Sequence, residues 1–296
     1  MAENEGGRQD GGKSATATLY LDHFGLRELP FGITPDTDFA YALRAHQEAF
    51  NTLMLALESG EGFIKITGEV GAGKTLLCRR LLKTLGGEWV SAYLPNPGFD
   101  ADTLLRALAE ELSIGEPARF DQYHLLREIN RALLELAHAG KRVVALIDEA
   151  QAMPVETLEA LRLLSNLETE KQKLLQIVLF GQPELDEKLN RPEIRQLRQR
   201  IVFHYRLSGL DEDEVANYVA YRLRVAGHLG EELFTPAALR VLYRASGGAP
   251  RLINVLAHKS LMAVYGEGRQ KVEARHARLA RRDTEGARQT GWLGWP

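Results

Sequence analysis

Residues 68–75 read Gly68-Glu69-Val70-Gly71-Ala72-Gly73-Lys74-Thr75. Before them, Phe63–Thr67 is a short apolar run with strand character; after them, a helical pattern continues to about Leu85. The pattern G-x-x-x-x-G-K-[ST] between a strand and a helix is a phosphate-cradling loop. Its glycines let the backbone curl so that successive N–H groups point at phosphate oxygens. The helix that follows adds free amides and the positive end of its dipole. In such a loop Lys74 reaches the β- and γ-phosphates of a nucleotide and Thr75 ligates Mg²⁺, so ATP and Mg²⁺ are the expected cofactors.

Working outward, strands and helices alternate. Trp89–Leu94 reads as a second strand, closed by Pro95-Asn96-Pro97-Gly98, and two helical stretches follow near 101–113 and 122–138. Val143–Ile147 is a continuous apolar run, as expected of a strand covered on both faces. A helix carries Leu158, Leu161, Leu164 and Leu167 at period-three spacing; Leu174–Phe180 and Ile201–Leu207 read as the fourth and fifth strands. This alternation predicts an α/β fold, a P-loop core with a five-stranded parallel sheet flanked by helices.

Upstream, Pro30, Gly32 and Pro35 mark an irregular stretch before a helical pattern near Ala45–Leu57. After Ser208 only helical patterns remain, over 211–226, 235–246, 250–264 and about 272–282. Thr235-Pro236 has the form of an N-cap followed by a first-turn proline. Gly227, Gly230 and the Gly247-Gly248 pair separate these helices. The expected organisation is a disordered leader over 1–18, an α/β nucleotide-binding domain over 19–208, a small all-α lid over 209–284, and a loose tail over 285–296 containing Trp292 and Trp295.

Composition narrows the class. The chain has 296 residues, 45% hydrophobic and 26% charged, which is globular composition and excludes wholesale disorder. With 37 basic and 40 acidic side chains the net charge is −3, against a protein coated for nucleic acid. The lone Cys78 excludes a disulfide framework and a Cys-rich zinc site. No apolar run approaches the ~20 residues of a membrane span, and the polar N-terminus lacks the apolar core of a secretory signal. These features predict a cytoplasmic protein.

Asp148-Glu149 closes the apolar run 143–147, the Walker B arrangement. Its first carboxylate suits Mg²⁺, a hard cation that takes oxygen ligands. Its second, Glu149, can take a proton from the attacking water. The order of these motifs resembles the AAA+ class of P-loop ATPases. That resemblance implies a γ-phosphate sensor at the fourth strand's end, where Gln182 stands. It implies an arginine acting on a neighbouring subunit just before the fifth strand, where Arg200 and then Arg198 are the candidates, and hence a homo-oligomer. It also implies a second sensor, Arg251, in the turn Gly248-Ala249-Pro250-Arg251.

A narrower resemblance covers residues from about Tyr20 to Glu285. Tyr20-Leu21-Asp22-His23-Phe24-Gly25-Leu26, Pro30-Phe31, Thr34-Pro35, Ile147-Asp148-Glu149-Ala150-Gln151, Leu161–Glu168 and Leu179-Phe180-Gly181-Gln182-Pro183-Glu184-Leu185 are similar to the general secretion pathway protein A family of AAA+ ATPases. Ala92-Tyr93-Leu94-Pro95-Asn96-Pro97 and Pro250–Leu256 look most like members associated with MSHA-type type IV pilus biogenesis. The resemblance implies an ATPase that helps assemble a pilus or a type II secretion-like machine, meeting the inner membrane through partner proteins. Two other classes stay open. One is a DNA-dependent ATPase of transposition or replication, for which the basic stretch 269–282 is the only feature. The other is a scaffold that binds ATP and scarcely hydrolyses it.

Overall fold

The structure, a computed structural model, describes residues 15–32, 44–98, 100–164, 166–168 and 173–288. The tail with Trp292 and Trp295, leader residues 1–14 and the Thr34-Pro35 pair lie outside the described residues. In chain order the elements are α1 (Ala15–Phe24), α2 (Arg44–Glu58), β1 (Phe63–Gly68), α3 (Lys74–Thr84), β2 (Trp89–Leu94), α4 (Ala101–Glu111), α5 (Gln122–His138), β3 (Arg142–Ile147), α6 (Val155–Leu164), β4 (Gln176–Gly181), α7 (Pro183–Leu189), α8 (Arg195–Arg200), β5 (Ile201–Leu207), α9 (Glu212–Val225), α10 (Pro236–Ser246), α11 (Pro250–Gly266) and α12 (Ala274–Arg282).

The five strands form one sheet in the order β2-β3-β4-β1-β5, and every pairing is parallel. Because side chains alternate along a strand, the inner strands β1, β3 and β4 each feed two cores, whereas the edge strand β5 leaves Val202, His204 and Arg206 exposed on one face. Ile64, Ile66, Val144, Leu146, Val178 and Phe180 share a core with Leu53 of α2 and with Leu77, Cys78 and Leu81 of α3. Ala145, Ile147, Ile177 and Leu179 share the other with Leu104, Leu105 and Leu108 of α4 and Leu125 and Ile129 of α5. Apolar residues on both faces explain why these strands read as unbroken hydrophobic runs.

The chain divides into two compact units. One runs from Ala42 to Leu210 and takes in Ala249–Arg251; the other gathers the N-terminal segment with the helices from Asp211 onward. The expectation that the α/β domain starts at residue 19, after a loose leader, is corrected here. Residues 15–18 are the first turn of α1, and α1 belongs with the helical unit. The reason is aromatic. Tyr20 packs edge-on against Phe24 and Tyr265, at 5.3 and 5.6 Å between ring centres. Farther along, Arg222 donates to the carbonyl of Pro30 at 2.6 Å, and Asn254 donates to that of Gly32 at 3.1 Å.

Within the helical unit, Thr235 caps α10 with Pro236 in its first turn, and Gly247 ends it in the left-handed region. Asp211 and Glu214 form a reciprocal capping box on α9. Among the helices, α6 ends at Leu164, so Leu167 lies beyond it and packs on the core from the following turn. Among the described residues no helix is long and apolar enough to cross a membrane.

Leu146 is fully buried in the middle of β3. Leu146→Ala removes its contacts and leaves a cavity between β3, α2 and α3. A loss of about 2–5 kcal/mol is expected, read as a lower denaturant midpoint for the α/β unit.

Candidate active site

Three strand ends meet at the carboxyl edge of the sheet because β4 lies between β1 and β3. The edge therefore carries Gly68 from β1, Asp148 and Glu149 after β3, and Gln182 after β4. Open parallel sheets bind ligands at this edge.

The loop 68–75 leaves β1 and enters α3, whose first residue is Lys74. Gly71 and Gly73 have φ of 79° and 90°, a left-handed region that costs any residue with a Cβ. Space adds to the constraint: a Cβ on Gly71 would lie 2.6 Å from Cβ of Arg251, and one on Gly73 would lie 2.3 Å from Nε2 of His46. Lys74 is only 5% exposed. Its ammonium donates to the carbonyls of Gly68 at 2.7 Å and Glu69 at 3.0 Å. Burial pulls its pKa below the usual lysine value, and the carboxylates of Glu149 and then Asp148 oppose that pull.

Thr75 Oγ1 donates to Asp148 Oδ2 at 2.7 Å. The other oxygen, Oδ1, accepts the backbone N–H of Glu149 at 3.0 Å. The hydroxyl and carboxylate that the sequence assigned to a metal thus stand together, a hard-oxygen pair of the kind Mg²⁺ takes. Among the described residues no group of three or more His, Cys, Asp and Glu could hold a metal by itself.

Glu149 has φ 54° and ψ 36°, a strained choice for a residue with a long side chain. Its Oε2 accepts from Gln182 Nε2 at 3.0 Å and also from Gln151 Nε2. Gln151 accepts the backbone N–H of Gln182 at 3.0 Å through its own Oε1. The three side chains close a ring between the ends of β3 and β4. Lys188 of α7 braces it by donating to the carbonyls of Gln151 and, at 2.8 Å, Met153. Gln151 had no role in the sequence reading. Its partner lies 31 residues away, and only the strand order brings the two together.

The remaining candidates divide. Val70 and Glu69 are exposed at the loop tip, whereas Ala72 is buried. Arg251 clusters with the α/β unit, its Cβ beside Gly71, with the residue as a whole exposed. Arg198 is exposed and Arg200 half-buried at the end of α8. Ile201 pairs with Phe63, the first residue of β1, so both arginines stand at the opposite edge of the sheet from the loop.

Burial raises the Asp148 pKa, and the bonds from Thr75 and the Glu149 amide only partly offset it. A carboxyl with a raised folded pKa costs stability above that pKa, because the folded state holds the charge less well than the unfolded chain. Asp148→Asn is therefore expected to raise the melting temperature of the unliganded protein at pH 7. The gain should shrink as pH falls through the carboxyl range. A melting temperature below wild type at pH 7 would contradict this.

The comparisons agree with this architecture. Residues 57–189 match a family model described as an AAA domain. Over 94% of its length the chain is 41% identical to General secretion pathway protein A of Aeromonas hydrophila. It spans about half of that relative, 54%. Among solved structures it is similar to Cdc6p of Pyrobaculum aerophilum, with TM-score 0.62, 18% identity, and 84% of this chain and 71% of that chain covered. It is also similar to the ORC2 protein of Aeropyrum pernix in its ADPNP-ADP complexes, with TM-score 0.60, 16% identity, and coverage of 84% and 72%. At these identities the structures share the fold alone. The chain therefore has a P-loop AAA+ fold, its residues 57–189 match an AAA domain, and it is similar to general secretion pathway protein A over about half of that protein's length.

Proposed function

We propose that this chain binds and hydrolyses ATP with Mg²⁺. Turnover would drive assembly of an MSHA-type type IV pilus or a type II secretion-like machine at the inner membrane. The chemical part rests on one observation: Lys74, the Thr75–Asp148 pair and the Glu149–Gln182 pair converge on the loop mouth. That ORC2 was solved with ADPNP and ADP on the same fold supports the choice of nucleotide. The assembly part rests on the relation to the secretion protein.

In this reading the loop amides of 69–73 and the Lys74 ammonium hold the β- and γ-phosphates, leaving their carbonyl partners Gly68 and Glu69 for the nucleotide. Thr75 and Asp148 would hold Mg²⁺, which when bound neutralises charge on the phosphate oxygens. Glu149 accepts a proton from the water that attacks the γ-phosphorus in line. Gln182, bonded to Glu149, would exchange that bond for a γ-phosphate oxygen, and Arg251 would meet the same phosphate beside Gly71. Arg200 or Arg198 acts on the site of a neighbouring copy, since both lie away from their own loop. Their planar, permanently charged forks suit the charge of the transferred phosphoryl group.

Protein partners fit the surface better than nucleic acid does. Within 269–282, Arg269 pairs with Glu273, Lys271 with Glu231, and Arg275 with Glu267. Much of the basic charge of that stretch is thus answered inside its own unit. The protein would work in the cytoplasm and reach the membrane through its partners.

Lys74→Ala should abolish nucleotide binding, measured by titration with a fluorescent ATP analogue. Glu149→Gln should bind ATP as the wild type does and lose phosphate release by a factor of at least ~10²; undiminished turnover would remove Glu149 from its role. Gln151→Ala should lower the hydrolysis rate with little change in nucleotide affinity. Affinity capture with ATP-loaded Glu149→Gln from inner-membrane fractions should recover proteins of the pilus or secretion machine. Recovery of none would overturn the assembly part and leave the chemistry standing.

A further inference from the structure

One buried titratable side chain beside the loop has no part in the chemistry above. His46, in the first turn of α2, is 8% exposed. Its Nε2 lies 2.8 Å from the carbonyl oxygen of Ala72. A carbonyl only accepts, so Nε2 carries the hydrogen and donates it. Nδ1 is buried with no hydrogen-bond partner. Burial, and secondarily the nearby Arg80 guanidinium, hold the imidazole pKa below its ordinary value, against the opposing bond to Ala72. The ring is therefore neutral at neutral pH, with a fixed tautomer.

Its neighbours in sequence anchor α2. Gln47 accepts from Arg80 of α3 at 2.8 Å, and the Arg80 guanidinium stacks on Phe50 at 4.1 Å. Glu48 accepts from the Tyr205 hydroxyl of β5 at 3.0 Å. Successive residues of α2 thus reach the loop, α3 and β5. The imidazole also fills the space where a side chain at position 73 would stand.

We propose that His46 is a positioning residue for the nucleotide phosphates, an inference that rests on the ATP-binding reading. A trans peptide is planar, so its C=O and N–H point in opposite directions. Holding the Ala72 carbonyl from behind the loop fixes the Ala72–Gly73 plane and turns the Gly73 N–H toward the opposite, phosphate side. In the unliganded loop Lys74 holds the carbonyls of Gly68 and Glu69 at the loop's start, bonds it gives up to the nucleotide, whereas the His46 bond to Ala72 does not compete with phosphate. Without the imidazole the Ala72–Gly73 plane is free to rotate, because glycine tolerates both signs of φ. The demand for glycine at position 73 then has two sources, its own φ and the ring behind it.

The test compares His46→Gln, whose terminal amide can still donate to Ala72, with His46→Asn and His46→Leu, which cannot. The readouts are the Kd of a fluorescent ATP analogue and the melting temperature of each unliganded variant. His46→Asn and His46→Leu should weaken ATP binding roughly tenfold, the worth of one buried hydrogen bond. His46→Gln should stay within about threefold of wild type on the same scale. Equal affinity in wild type and His46→Asn, or a His46→Gln variant as weak as His46→Asn at matched melting temperature, overturns the proposal and leaves the ATP reading intact. A wild-type protein that binds no nucleotide overturns both.

Discussion

Everything at the edge of this sheet is arranged around one buried cation. Lys74 is almost wholly removed from water, at the end of a helix whose dipole already puts positive charge there. An ammonium in that position is costly unless it is bonded and compensated. Two loop carbonyls provide the bonds, and Asp148 and Glu149 provide the field. Neither part works without the other. The carbonyls need glycines that bend the loop back over the lysine, and the carboxylates need a strand that ends beside it. Asp148 in turn is strained by its own burial and leans on Thr75. The site is held by mutual compensation between groups that would each be unfavourable alone. A multivalent anion and its cation would relieve both sides.

Direction matters as much as charge. Backbone N–H groups bind phosphate only when their peptide planes face the same way, and a plane is set as firmly through its carbonyl as through its amide. The carbonyls of Gly68, Glu69 and Ala72 are all engaged, by Lys74 and His46. On the other side of the cleft, Gln151 and Gln182 hold Glu149 in a backbone conformation it would not choose. Strain of about 1–3 kcal/mol per such residue survives only where surroundings overdetermine it, and the ring of three side chains braced by Lys188 does so here.

Much of this was legible in the sequence, for reasons that differ by element. The strands were found almost to the residue, because the inner strands, buried on both faces, read as bounded apolar runs, and the edge strand β5 alternates half-buried and exposed residues. The loop and the Asp148-Glu149 pair were legible because their chemistry is local: spacing along the chain is spacing in space. The misses are the short or pattern-poor helices. In α8, Arg-Gln-Leu-Arg-Gln-Arg buries only Leu197 and has no stripe to detect, and α7 has seven residues. The first turn of α1 was taken for leader because it is small and polar, and the helix's aromatic anchor, Tyr265, lies far away in the chain. Gln151 and His46 fall in the same class. Each acts across 26 to 31 residues, through a strand order or a helix placement that no local pattern reports.

Strand polarity carries one more consequence. In a parallel sheet all carboxyl ends lie on one edge, so whatever stands before a strand stands at the other. Arg198 and Arg200 precede β5, and β5 runs beside β1 up to the loop, with Leu207 against Gly68. Seven residues at ~3.3 Å each put roughly 20 Å between the two edges. An arginine side chain, only a few bonds long, cannot span that distance to its own loop. The polarity that gathers Gly68, Asp148 and Gln182 at one edge therefore leaves these arginines at the other. If they take part in hydrolysis, the site they serve belongs to another copy, and turnover becomes a property of the assembly rather than of the chain.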